Sequence, residues 1–242
     1  MRVIILRFDQ TLINANTYVL VPDGGKQALV VDPGAGSRFW IQEALERLDV
    51  ELGAVLLTHG HADHIWDVSA ISGSVPVYIA EPDLYRLDDP LGYLGMANLA
   101  IAFPRMGVSQ WQKPENLQTL PVQAFNTSFE IVPRLPIRAV AAPGHTEGST
   151  VFLFDGQSTS EEPESIAVSD RLEHFMLSGD VIFNNGIGRT DLPGGDEQKM
   201  AATLRFLVNS IRPETILLPG HGSQTNMFHE TRHSEFLHAA MS

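Results

Sequence analysis

Four apolar runs in this chain end in the same way, and that repetition constrains the fold more than any other feature of the sequence. Each runs out into a glycine-containing turn that bears histidine or aspartate: Val55-Leu56-Leu57-Thr58-His59, Val140-Ala141-Ala142-Pro143-Gly144-His145, Phe175-Met176-Leu177-Ser178-Gly179-Asp180 and Ile216-Leu217-Leu218-Pro219-Gly220-His221. In a layered α/β protein the loops at strand ends gather along one rim of the sheet and host the site. Four separate strands delivering metal-ligand side chains to one rim is hard to read as packing.

The remaining pattern agrees with layered α/β structure. Short β-rich runs fill the first quarter, at Val3 to Phe8, Thr17 to Val21 and Ala28 to Val31, with a hairpin-type break at Pro22-Asp23-Gly24-Gly25. From Ser37 to Leu48 the apolar residues recur at helical spacing, with Ser37 available as N-cap, and Ala54 to Leu57 reads as a buried strand. Helix and strand signals alternate again through Ile65 to Ile71 and Val75 to Ile79. The segment from Glu81 to about Gln123, rich in Pro, Gly and scattered aromatics, reads as a partly helical, lid-like excursion, with Tyr85, Tyr93 or Trp111 expected beside the site.

Strand character returns at Phe129 to Val132, Ile137 to Ala141, Thr150 to Phe154 and His174 to Leu177, while the acidic stretch Gln157 to Glu173 reads as a solvated loop. A helix is expected from Asp196, then a strand at Thr215 to Leu218 and a closing helix over Thr225 to Met241. Two β-rich halves, each carrying helices, fit a four-layer αββα sandwich spanning 1–242 as one domain.

Composition narrows the chemistry. The chain has no cysteine, which excludes disulfides, a thiolate nucleophile and sulfur ligation of metal, so any metal must sit on nitrogen and oxygen. With 29 acidic against 16 basic side chains the formal net charge is −13, a surface that repels a phosphate backbone, and nucleic acid is not an expected partner. The opening residues lack a signal-peptide pattern, and no apolar stretch approaches the roughly 18 residues of a spanning helix, so the expected location is the cytoplasm, without membrane association.

The densest motif is Thr58-His59-Gly60-His61-Ala62-Asp63-His64, which places four ligand-capable side chains within a few residues. Imidazole and carboxylate suit zinc, iron or manganese, and the lack of sulfur fits a catalytic rather than a closed structural site. On an extended piece His59 and His61 point the same way and can share one ion, while Asp63 and His64, at the turn into the next helix, can address a second. His174, His229, His233 and His238 lie outside this grammar and read as ordinary polar residues.

This cluster, with His145 in Pro-Gly-His-Thr, Asp180 in Ser-Gly-Asp, His221 in Pro-Gly-His-Gly and Val30-Val31-Asp32-Pro33-Gly34 ahead of it, resembles the metallo-β-lactamase superfamily across nearly the whole chain. The resemblance implies that His59, His61 and His145 bind one metal and Asp63, His64 and His221 the other. Asp180 would bridge the two, and Asp32 would steady the metal-binding loop from behind. Each ion then keeps a position open for water.

Within the superfamily, Gly188-Arg189-Thr190-Asp191-Leu192-Pro193-Gly194-Gly195-Asp196 looks like the glyoxalase II-like branch, and persulfide dioxygenases carry a related segment. Asp180 speaks against the β-lactamases proper and His61 against the oxygen-reducing diiron relatives. Only residues 222–242 follow His221, which resembles the shorter glyoxalase II-like members and leaves the thiol carrier open. The expected activity is hydrolysis of a small-molecule thioester, a 2-hydroxyacyl thioester in particular, by a hydroxide that two divalent ions, zinc first, generate from water, with Asp63 orienting it. The alternatives are a mononuclear iron persulfide dioxygenase and a lactone hydrolase of the same fold. A non-enzymatic binding module is disfavoured because every expected ligand is present.

Overall fold

The computed structural model describes residues 1–10, 13–92, 97–158, 165 and 171–241, with the side chains of 97–100 left aside. The first half of the chain supplies β1 (Arg2–Asp9), β2 (Asn16–Pro22), β3 (Gln27–Val31), α1 (Arg38–Arg47), β4 (Glu51–Leu56), α2 (Ala62–Ile65), α3 (Val68–Ser72), β5 (Val77–Ile79), α4 (Ala97–Met106), β6 (Leu117–Thr119) and α5 (Val122–Asn126). The second half supplies β7 (Phe129–Val132), β8 (Leu135–Ala141), β9 (Thr150–Ser158), β10 (Glu173–Gly179), β11 (Ile182–Phe183), β12 (Gly186–Ile187), α6 (Glu197–Ser210), β13 (Ile216–Pro219), β14 (Thr225–Asn226), α7 (Met227–His233) and α8 (Glu235–Met241).

Among the described residues the strands follow the order β14-β13-β10-β9-β1-β2-β3-β4-β5-β6, with β8 also on β9 and β7 on β8. Strand pairing joins the halves where β1 meets β9 through Arg2↔Gln157 and Val3↔Ser158, so the path folds over on itself there.

Side-chain alternation makes the layers. On β1 to β4 the residues Val3, Ile5, Tyr18, Leu20, Leu29, Val31, Ala54 and Leu56 enter one buried cluster, and their immediate neighbours Leu6, Val19, Val21, Val30, Val55 and Leu57 enter another. The first cluster also takes Phe152, Phe154, Phe175, Leu177 and Leu218 from the other half and is the space between the two sheets. The second holds Ile41 and Ala44 of α1 and Val68 of α3, while Met176 and Leu217 pack outward on Met200, Leu204 and Leu237 of α6 and α8. Helices therefore cover both outer faces, which gives the αββα sandwich. Strands buried on both sides read as continuous apolar runs, and this is why the sequence exposes them clearly.

Several local expectations change. The closing helix is two short helices broken at Ser234, and Thr225-Asn226 is a strand on β13, where the Asn226 side chain accepts from His229 N and starts α7. The segment 81–123 returns to the sheet, because β6 pairs in parallel with β5 at its edge. Within 157–173, β9 extends to Ser158, Ser165 bridges Leu6, and most of the remainder lies outside the described residues. No described helix is long and apolar enough to cross a membrane.

Ser37 occupies the N-cap position of α1 without a side-chain cap, its hydroxyl donating instead to Gly34 O. The cap comes from a distant residue: Asp67 Oδ2 accepts from Gly36 N at 2.8 Å and Arg38 N at 3.2 Å, and its Oδ1 from Val108 N at 2.9 Å. Asp67→Ala leaves these donors without partners and should lower unfolding free energy by about 2 kcal/mol in urea denaturation, with little change in the groups at the strand ends.

Candidate metal centre

The four strand ends meet on one rim. Beyond β4 the chain bends at Thr58 and His59, and His61 carries the β-region backbone of an N-cap before α2 presents Asp63 and His64. Strands β10 and β13 are parallel neighbours, paired at Leu177↔Leu218 and Gly179↔Pro219, and they deliver Asp180 and His221 side by side. A Cβ on Gly220 would stand 2.2 Å from Asp180 Oδ1 and 2.8 Å from His64 Cε1, so only glycine lets that strand end approach so closely.

The side chains converge in two groups. His145 Nε2 lies 2.8 Å from His61 Nδ1, and His59 Nε2 lies 3.2 Å from the same atom. On the other side His64 Nε2 is 3.3 Å from His221 Nε2 and 3.5 Å from Asp63 Oδ2, and His221 Nε2 is 3.3 Å from Asp63 Oδ2. Asp180 stands between the groups, 3.4 Å from His145 Nε2 and 3.3 Å from both His64 Nε2 and His221 Nε2. Ligands 2.0–2.1 Å from a tetrahedral ion are about 3.3 Å apart, so both groups have the spacing of a coordination shell. The sets His59, His61, His145 and Asp63, His64, His221 could each hold an ion.

The outer ring nitrogens explain why these atoms point inward. His145 Nδ1 donates to Arg189 O at 2.7 Å and His221 Nδ1 to Ile13 O at 2.8 Å, which leaves Nε2 of each to face the centre. Asp32 Oδ2 accepts from His64 Nδ1 at 3.1 Å and from Thr58 Oγ1 at 2.6 Å, and that hydroxyl in turn accepts from His59 Nδ1 at 3.0 Å. Asp32 itself sits at φ 51, a left-handed conformation rare for a side-chain-bearing residue. It is held there by Asp32 N donating to Leu56 O and by Thr17 Oγ1 and Gly34 N donating to Asp32 O.

A family model described as the metallo-beta-lactamase superfamily matches residues 11–159. The chain belongs to the metallo-β-lactamase superfamily. A hydroxyacylglutathione hydrolase (GloC) of Haemophilus influenzae is 30% identical over 226 residues, covering 91% of this chain and 92% of that protein. Among solved structures, the BLEG-1 B3 metallo-beta-lactamase has 29% identity and a TM-score of 0.71, with 96% of this chain and 99% of that one covered. TTHA1623, crystallised in a di-iron-bound form, has 26% identity and a TM-score of 0.68 over 95% of this chain and 98% of that one. Metal-dependent hydrolases belong to this superfamily, and the histidines and aspartates that meet at the rim form a metal-binding cluster here.

In this superfamily member the two groups differ in charge. Burial drives His59 well below its ordinary value, and burial with His145 nearby brings His61 down to about 3. Burial opposes charge on the other side too, yet Asp180 and Asp63 outweigh it, lifting His64 well above its ordinary value, and His221 is lifted to about 10. Reciprocally, burial is outweighed by His64 and His221 at the carboxylates, which brings Asp63 down to about 2 and Asp180 well below the ordinary range.

A cavity of about 340 Å³ opens over the centre, walled by Ile13, Phe183, Ile187 and Leu192, with Arg189 at its side. Neither Tyr85 nor Trp111 lines it. The Tyr85 hydroxyl donates to Glu147, Trp111 packs against Trp66 with the rings tilted and centroids 5.8 Å apart, and Tyr93 lies outside the described residues. The apolar wall instead follows the chain just after Asp180, a position that strand and helix periodicity could not reveal. Asp83 and Arg86, also unremarked in the sequence, are both wholly buried beside the centre.

Protons on His64 and His221 compete with metal, whereas His59 and His61 are already neutral. Affinity on the Asp63, His64, His221 side should therefore fall more steeply as pH drops from about 8 to about 6 than affinity on the His59, His61, His145 side. Competition titrations against a chelator at several pH values read this directly, and equal slopes for the two ions would contradict it.

Proposed function

We propose that this chain hydrolyses a 2-hydroxyacyl thioester of a small thiol at a centre of two metal ions. The observation that carries the reading is the meeting of two ligand groups at one carboxylate, Asp180, 3.3–3.4 Å from ring nitrogens of both. The similarity to the hydroxyacylglutathione hydrolase of Haemophilus influenzae, nearly end to end, supports the thioester. In this assignment His59, His61 and His145 hold one ion, Asp63, His64 and His221 the other, and Asp180 reaches both. Zinc suits the donor set, as do iron and manganese.

Two bound divalent ions supply Lewis acidity, which acidifies coordinated water and polarises a carbonyl. The protein's own groups do the rest. Asp63 lines the cavity, stays ionised, and orients the attacking water as a hydrogen-bond acceptor. Asp32 and the carbonyls of Ile13 and Arg189 keep the ligand rings in one tautomer, so the centre needs no reorganisation when substrate arrives. Ile13, Phe183, Ile187 and Leu192 exclude water from one side of the cleft and face the acyl or thiol part. Water adds to the carbonyl carbon and releases a proton to solvent, the carbon–sulfur bond breaks, and the thiolate departs to take up a proton from solvent.

The test is a panel of steady-state assays with 2-hydroxyacyl thioesters, a lactone, a β-lactam and a persulfide under oxygen monitoring. Thioester turnover should dominate. His221→Ala should lower thioester kcat/KM by roughly 100-fold or more, equivalent to about 2.7 kcal/mol, and His145→Ala should silence the enzyme. Near-normal turnover in His221→Ala, together with oxygen consumption by the wild type on the persulfide, would replace this reading with a single-iron dioxygenase.

A further inference from the structure

Asp83 is a fully buried carboxylate that the chemistry above does not use, and its hydrogen bonds go to the two loops that carry His59, His61 and His145. Its Oδ2 accepts from Gly60 N at 2.8 Å, the amide lying between His59 and His61, and from Thr146 Oγ1 at 2.8 Å, next to His145. Its Oδ1 accepts from Gly148 N at 2.7 Å and more weakly from Arg86 Nε at 3.4 Å. Arg86, equally buried, balances the charge and donates through Nη2 to Glu147 and to Pro193 O, which ties in the loop behind the cavity wall. The fit is tight, since a Cβ on Gly148 would stand 2.7 Å from Asp83 Cβ and one on Gly60 2.7 Å from Arg86 Cβ. The two loops also share Thr150 N to Thr58 O at 2.9 Å, on the strand side, so Asp83 closes the opposite end.

The side-chain hydrogen bonds and ion pairs of Asp63, His64 and His221 run instead to Asp32, Asp180, Ile13 and one another, and the backbone link between the groups, His64 N to His61 O at 3.0 Å, leads into α2 without touching Asp83. We propose that Asp83 is a positioning residue for one metal site alone: it sets the gap between the His59-Gly60-His61 loop and the His145-Thr146 loop, and so the affinity and coordination geometry of the ion held by His59, His61 and His145. The proposal rests on the two-metal reading above. A carboxylate is required because the position faces only donors, and an amide would turn its own N–H₂ toward one of them.

Asp83→Asn tests this with almost no change in shape. Stepwise Co²⁺ titration, read by visible absorption and by competition with a chelator, should show the ion of the His59, His61, His145 site weakened roughly 10- to 100-fold with an altered absorption band. The other ion should bind as in the wild type. Thr146→Val, which deletes one donor and leaves the carboxylate, should shift the same ion in the same direction by less. Equal weakening of both ions, wild-type affinity at both, or loss of the fold in Asp83→Asn would overturn the proposal. A wild type that binds a single Co²⁺ would instead overturn the two-metal reading, and the effect of Asp83→Asn on that one ion would still be measurable.

Discussion

The carboxylate of Asp32 is the point on which the rim depends. It stands where β3 ends, takes both the N–H and the hydroxyl of Thr58 where β4 has ended, and takes Nδ1 of His64 at the start of the following helix. One side chain thus fixes two strand ends and a helix against one another and aligns His64 directly and His59 through Thr58. The left-handed backbone at Asp32 costs on the order of 1–3 kcal/mol, offset by three backbone hydrogen bonds and by the contacts of the carboxylate itself. Gly34, two residues on, lies so close to α2 that a Cβ there would stand 2.1 Å from Asp63 O. The turn from Asp32 to Gly34 therefore sets how near the metal-binding motif can come to the sheet.

Around that anchor the arrangement separates charge. Both groups are buried, but only one contains a carboxylate, so one side of the centre is an imidazole triad on which burial keeps His59 and His61 neutral, and the other is an anionic pocket that draws protons onto its histidines. Two ions held close together need negative charge between them, and Asp180 lies where it can serve both. The proposed hydrolysis uses this asymmetry: Asp63 remains an ionised acceptor facing the cavity, while the triad side is shaped by Asp83 and by the Arg189 carbonyl.

Much of this was legible in the sequence, for physical reasons that differ by element. The sandwich strands are buried on both faces and stand out as apolar runs, and the His59 to His64 cluster is local, so spacing alone marks it. Ser37 was misleading because a good capping residue sat beside a stronger acceptor, Asp67, reached only in three dimensions. Asp83 and Arg86 lie in a short 3-10 segment without periodicity, and most of their partners are some 60 residues away or more, at Thr146, Gly148, Glu147 and Pro193. The aromatics of 81–123 suggested a lid, yet Trp111 packs into a small core with Trp66 and Phe103, and the cavity wall comes from Ile13 and from the segment that follows Asp180.

The central claim is that the rim is one centre for two ions, and the metal content of the purified protein tests it most directly. Elemental analysis of protein reconstituted with excess zinc and freed of loose metal by gel filtration should settle close to two ions per chain, because seven side chains in two coordination-sized groups are too many for one open site. A value that stays at one ion per chain, under the same reconstitution, would contradict the account.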